Sequence, residues 1–166
     1  MKKLGITLGL IAALTALLAT WLSPERILKR RVQGLLTAAE VPASMNEIAR
    51  SASGNRIEKF LAEQIRVSGS GEFSEPVDTD PFSRESVTSR YAAAARFSKE
   101  ITFRDLEFTG LEIADERAKV QFNVDALVEF QSRRPIDGIL SIDSVWVKAS
   151  KSWQLESIHW NERPRG

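Results

Sequence analysis

Between Ala118 and Phe130 apolar and polar side chains alternate: Ala118, Val120, Phe122, Val124, Ala126, Val128 and Phe130 against Gln121, Asn123, Asp125 and Glu129. Period two means an extended strand, because successive side chains leave opposite faces. One face of this strand must be buried and the other wetter. Such a strand cannot stand alone, so the surrounding sequence has to supply neighbours and a cover for the apolar face. Asp115-Glu116 breaks it from the stretch before, where Ile101 and Phe103 alternate on one parity and Leu106 and Phe108 on the other. That change of parity predicts a bulge near Arg104-Asp105. Arg133 to Gly138, with Pro135 and Asp137-Gly138, separates it from a strand over Ile139 to Val147, and Ser150-Lys151-Ser152 turns the chain into a last strand, Trp153 to Trp160.

The cover comes from the first half of the chain. Ser23-Pro24 is a helix start, since Ser caps free amides and Pro fits the first helical position. Ile27, Leu28, Val32, Leu35, Leu36 and Ala39 then recur every three or four residues, predicting a helix from Pro24 to Glu40. Val41-Pro42 ends it. Ser44-Met45-Asn46-Glu47 has the S-x-x-E form of a second helix start, interrupted at Ser53-Gly54-Asn55, with Ile57, Phe60, Leu61 and Ile65 leading to a short strand over Gln64 to Ser68. Ser68 to Pro81 reads as a loop. It gives way to Phe82-Ser83-Arg84-Glu85, after which Val87, Tyr91, Ala94, Ala95 and Phe97 support a third helix to about Ser98. Helices first and an antiparallel meander afterwards define an α+β domain in which a curved sheet wraps three helices.

Residues 4–22 carry no charge. A helix of that length, at ~1.5 Å per residue, nearly matches a ~30 Å hydrocarbon layer. The run ends Ala19-Thr20-Trp21-Leu22-Ser23 without an A-x-A exit, and Trp21 sits where an interfacial aromatic belongs. The expectation is therefore a membrane anchor over 1–23, a domain over 24–162 and a tail over 163–166. Arg26, Lys29, Arg30 and Arg31 after the run favour a cytoplasmic domain, but a short tail bearing Lys2 and Lys3 resists crossing. The reading is a single-pass membrane protein with an extracytoplasmic, periplasmic domain.

Charge and composition exclude several functions. Removing Lys2 and Lys3 from the 23 basic residues leaves 21 against 22 acidic ones, so no basic excess faces a phosphate backbone and nucleic acid is not an expected partner. With no cysteine, disulfides, thiol nucleophiles and thiolate metal sites are closed. A single histidine, His159, rules out a multi-histidine metal centre, and no cofactor or metal is expected. Gly69-Ser70-Gly71 lacks the spacing of a nucleophile elbow, and Asp78-Thr79-Asp80 lacks the glycine and later glutamate of a calcium loop.

The order of elements, closed by Trp153-Gln154-Leu155-Glu156-Ser157-Ile158-His159-Trp160, resembles the nuclear transport factor 2-like, or SnoaL-like, superfamily, and more narrowly its bacterial single-span members. The likeness runs from Pro24 to Asn161 and is one of pattern, without a diagnostic motif. It implies a long helix and two shorter ones inside a cone of bent sheet, a pocket in that cone and a homodimer through the sheet. It does not imply one function, because the superfamily includes isomerases, dehydratases, hydrolases, transport factors and assembly domains.

An enzyme of this kind needs an acid or base in the cone and a donor for a developing oxyanion. The long strand offers only apolar groups on its buried face. The remaining candidates are Asp143 or His159 as base and Tyr91 as donor, while Tyr91, Phe122, Val124, Trp146 and Trp160 are the expected pocket lining, suited to an apolar small molecule. Parity leaves it open whether Asp143 and His159 share a face, because Leu140 and Ile142 stand in the opposite phase to Val145 and Val147. Core packing explains Tyr91 and the tryptophans equally well, and an exposed strand acid or rim histidine explains the other two. The reading that results is a non-catalytic, membrane-anchored binding or assembly domain, with a small-molecule isomerase or hydrolase as the alternative.

Overall fold

The computed structural model describes residues 23–70, 80–131, 134–150 and 152–164. Helix α1 (Pro24–Ala39) is followed by two short helices, α2 (Glu47–Ser51) and α3 (Ser53–Glu58), and by strand β1 (Leu61–Ser70). A two-residue strand β2 (Phe82–Ser83) leads into helix α4 (Arg84–Phe97), and the chain then runs as β3 (Ser98–Ala114), β4 (Arg117–Phe130), β5 (Ile136–Ala149) and β6 (Ser152–Pro164). The strands form one sheet in the order β2-β1-β6-β5-β4-β3.

The long alternating strand is β4. Ala118, Val120, Phe122, Val124 and Ala126 are buried, while Arg117, Lys119 and Gln121 between them are exposed. Leu28 and Val32 of α1 close over that face together with Ile57, Leu61 and Ile65, joined by Ile142, Trp146, Trp153 and Leu155 from the neighbouring strands. Burying a side chain of this size stabilises the fold by roughly 1.5–3 kcal/mol, so this one layer holds helices and sheet together. Three arginines fix the helices from their ends. Arg31 donates to Trp153 O at 2.9 Å and Lys59 O at 2.6 Å, Arg56 to Glu40 O at 2.9 Å and Thr37 O at 3.0 Å, and Arg50 to Ser98 O at 2.6 Å and Lys99 O at 2.8 Å. The carbonyls at the ends of α1 and α3, which lack intrahelical partners, are thereby satisfied.

The bulge expected near Arg104-Asp105 is present. The β3–β4 register shifts between Arg104 and Glu107, and Asp105 adopts φ 49. It bends the edge strand where Leu36 and Thr37 of α1 approach Arg104 and Leu106.

Several expectations are corrected. There are four described helices rather than three, because the segment after Val41-Pro42 breaks at Ala52 into α2 and α3. The cap of α2 is Asn46, not Ser44, since its side chain accepts from Ala49 N at 2.9 Å. The third expected helix runs Arg84–Phe97, with Ser83 as cap and Phe82 paired to β1. The sheet is not wholly antiparallel, because β1 runs parallel to β6. Gly69 and Ser70 belong to β1 and not to a loop. A Cβ on Gly69 would overlap the indole of Trp160, so glycine there is what lets the last tryptophan lie over β1. Among the described residues no helix is long and apolar enough to cross a membrane. That finding stands against the expected transmembrane helix and single-pass, periplasmic localisation, which the described residues do not supply; the anchor over residues 4–22 itself lies outside the described residues, as do Asp78 and Thr79.

Phe122→Ala, which opens a cavity in the central layer, should cost about 3–5 kcal/mol. Lys119→Ala, on the opposite face of the same strand, should stay within about 0.5 kcal/mol. Urea denaturation of both variants checks this; equal losses would contradict the burial of one face only.

Candidate functional site

Directly opposed residues on paired strands share a face, so the register settles what parity could not. Asp143 pairs with Gln121 on one side and His159 on the other, and His159 pairs with Ser68. At the far end Gln121 pairs with Gly110. Gly110, Gln121, Asp143, His159 and Ser68 therefore form one row across β3, β4, β5, β6 and β1, on the face of the sheet turned away from the helices. The row is bonded in two places: Gln121 Nε2 donates to Asp143 Oδ1 at 2.6 Å, and Ser68 Oγ lies 2.8 Å from His159 Nδ1. A Cβ on Gly110 would press against Gln121 Oε1, so this glycine leaves room for the amide.

Beside the row lies a shallow cleft of about 430 Å³ whose walls include Glu112, Lys119, Gln121, Asp143, Ser157 and His159, with Val145 among the apolar lining. One side of it follows a register shift between Val145 and Trp146, where Glu156 falls between Leu155 and Ser157 in the pairing. Glu156 holds an ion pair with Arg117. Lys119 and Glu112 are register partners but do not pair as ions, since no described carboxylate lies within 4.0 Å of Lys119.

Ser68, His159 and Asp143 are the residue types of a hydrolytic triad, and the order along the row invites that reading. The bonds do not follow it. Asp143 accepts from Gln121 rather than from His159, so no carboxylate among the described residues orients the imidazole.

Tyr91 is on the other side of the sheet. It sits on α4, packs against both core clusters and donates its hydroxyl proton to Ala39 O at the end of α1. Asp143 and His159 are thus brought together, and Tyr91 is not brought to them. Of the expected lining, Phe122, Val124 and Trp146 are 3%, 1% and 1% exposed, which makes them packed core rather than the wall of a large void. Val124 reaches one small groove of about 200 Å³ between α1 and β3, whose lining includes Leu36, Phe103 and Leu106. Trp160 lies over Gly69.

Two interior polar side chains, Ser144 and Trp146, use each other. Ser144 is buried opposite Val120 and beside Trp146. Its hydroxyl donates to Val120 O at 2.9 Å and accepts from Trp146 Nε1 at 3.0 Å. Ser144 is also why parity was ambiguous, since a serine occupies the apolar phase between Ile142 and Trp146. Gln121 and Ser68 went unrecognised in the sequence. The alternation put Gln121 on the wetter face, but only the register places it beside Asp143. Among the described residues no group of three or more His, Cys, Asp or Glu side chains could hold a metal ion.

A six-stranded curved sheet around a long α1 and shorter helices is the nuclear transport factor 2-like fold. Comparison with solved structures bears this out. A conserved protein from Planctomyces limnophilus superposes with a TM-score of 0.61 at 13% identity, over 85% of this chain and 97% of its own. A scytalone dehydratase-like protein from Novosphingobium aromaticivorans gives 0.60 at 15% identity, over 84% and 83%. A nuclear transport factor 2-like protein from Cytophaga hutchinsonii gives 0.56 at 12%, over 86% and 100%. No protein-family model and no curated protein matches the sequence. At these identities the likeness is one of fold.

Two outcomes follow from this geometry. Burial pushes the Tyr91 phenol up to about 12, against a smaller opposing pull from the charge of Arg56. A phenol that holds its proton more tightly folded than unfolded stabilises the fold fully below its ordinary value of ~10. That contribution is lost as pH rises through the folded value of about 12. Tyr91 is the single tyrosine, so tyrosinate absorbance reports it directly, and Tyr91→Phe should flatten the alkaline loss of stability. Ser144→Ala should cost about 1–3 kcal/mol in urea denaturation, because it leaves the Trp146 N–H buried without a partner.

Proposed function

We propose that this domain is a non-catalytic binding module that recognises its ligand on the outer face of the sheet, beside the Gln121–Asp143 and Ser68–His159 pairs. The observation that carries this reading is the division of polar groups between the two faces. Those inside the cone, the hydroxyls of Tyr91 and Ser144 and the indole N–H of Trp146, are spent on other parts of the protein. The groups with free hydrogen-bonding capacity, Asp143, His159, Gln121 and Lys119, meet at a cleft on the other side.

The dehydratase-like neighbours suggest an enzyme, which would need an acid or base and a donor converging on one void. The separation of Tyr91 from Asp143 and His159 weighs against it. A homodimer through the sheet is also favoured by the fold resemblance. The outer row, however, is polar and charged, unlike the apolar surface of an obligate interface, which supports a reversible contact on this face. The groove floored by Leu36, Phe103, Leu106 and Val124 supports a second reading, carriage of a small apolar molecule, but at about 200 Å³ it is below the usual size of ligand pockets.

A photo-crosslinking amino acid at Lys119, introduced in the source cell, should yield an adduct of defined mass, and one at exposed Glu58 on α3 should not. Adducts from Glu58 alone would sink the outer-face reading.

A further inference from the structure

The outer cleft also constrains the chemistry of what it binds. Resting on the outer-face reading above, we infer that its ligand is a hydroxylated, uncharged molecule of saccharide type, held by its hydroxyls against Asp143, His159, Gln121 and Lys119.

The inference comes from the hydrogen-bonding capacity left over after the protein's own bonds are made. Asp143 uses Oδ1 on Gln121, which leaves Oδ2 as an acceptor. Gln121 gives one N–H to that bond and keeps a second N–H and its carbonyl oxygen. Lys119 keeps three donors, none engaged by a described carboxylate. Ser157 offers a hydroxyl that both donates and accepts. His159 is the most telling member. Its Nδ1 is occupied by Ser68 Oγ at 2.8 Å, so if Ser68 donates, Nε2 carries the proton and is a donor, and if Nδ1 donates, Nε2 is an acceptor.

An anion would satisfy Lys119 and repel Asp143 and Glu112; a cation would do the reverse. A hydroxyl donates and accepts at once, so neighbouring hydroxyls on a ring can bridge Asp143 and Lys119 together and match either state of His159. Glu112 and Lys119 cancel in charge, which leaves Asp143 as the uncompensated charge of the lining: it repels an anion, Lys119 repels a cation placed beside it, and a hydroxyl that donates to Asp143 meets neither objection. Val145 and Gly110 in the lining offer an uncharged surface for the carbon face of such a ring. The volume of about 430 Å³ falls in the range of small-molecule sites, ~300–1,000 Å³.

The test is two-dimensional amide NMR of the full isotopically labelled chain, titrated with methyl glycosides of glucose, galactose and mannose and with the corresponding tetrasaccharides. Saturable shifts at Gln121, Asp143 and His159 are expected with at least one of them. Tighter binding of the longer chain would assign the site to a polysaccharide and equal binding to a free sugar, and both support the inference. Asp143→Ala and Gln121→Ala should each weaken binding about tenfold, or about 1.4 kcal/mol, while Tyr91→Phe, on the far side of the sheet, should leave it unchanged. Shifts in the row with arginine or phosphate but with no sugar would overturn the ligand class and leave the outer-face reading standing. No shift with any probe, together with no adduct from Lys119, would overturn both.

Discussion

Everything in this domain is hung on one buried surface, the inner face of β4. Val120, Phe122 and Val124 are almost wholly buried, and Leu28 and Val32 of α1 belong to the same packed layer. Because a strand presents every second residue to each side, fixing that face also fixes the other. Once Val120 points in, Lys119 and Gln121 must point out, and the pairing with β5 and β6 carries the same assignment to Asp143 and His159. Packing on one side thus decides the chemistry on the other.

The same constraint accounts for a quiet interior. A layer close-packed with Phe122, Trp146, Ile142 and Leu155 has space for a polar group only where its partner is built in. Ser144 satisfies that condition by bridging Val120 O and the Trp146 indole, and Tyr91 by reaching the carbonyl that ends α1. Groups held this way stabilise the fold and are not free to act on a guest. The outer row is under no such requirement, because water can satisfy whatever the protein leaves open, and so free donors and acceptors collect there.

Kinship of fold carries limited functional weight here. Structures superposing at TM-scores of 0.61 and 0.60 share 13% and 15% identity with this chain, and one of them is scytalone dehydratase-like. A cone of sheet around helices hosts many chemistries, and which one is present depends on side chains that such comparisons do not align. In this chain the acid and the histidine stand on the solvent side of the sheet, a placement that the shared backbone does not dictate.

The sequence by itself determined the strand at Ala118 to Phe130, the first helix, the bulge at Asp105 and the α+β order, because each is written in local periodicity or a local break in it. It also confined the titratable candidates to a few residues, since a chain with one histidine and no cysteine has few to offer. Only the tertiary structure decided the parallel pairing of β1 with β6, the split of the second helical segment, and the row that joins Ser68 to His159 and Gln121 to Asp143. Those pairs are separated by 91 and 22 positions. Their meeting depends on strand register, which is set by the packing of the whole buried face and leaves no trace in the spacing of neighbouring residues.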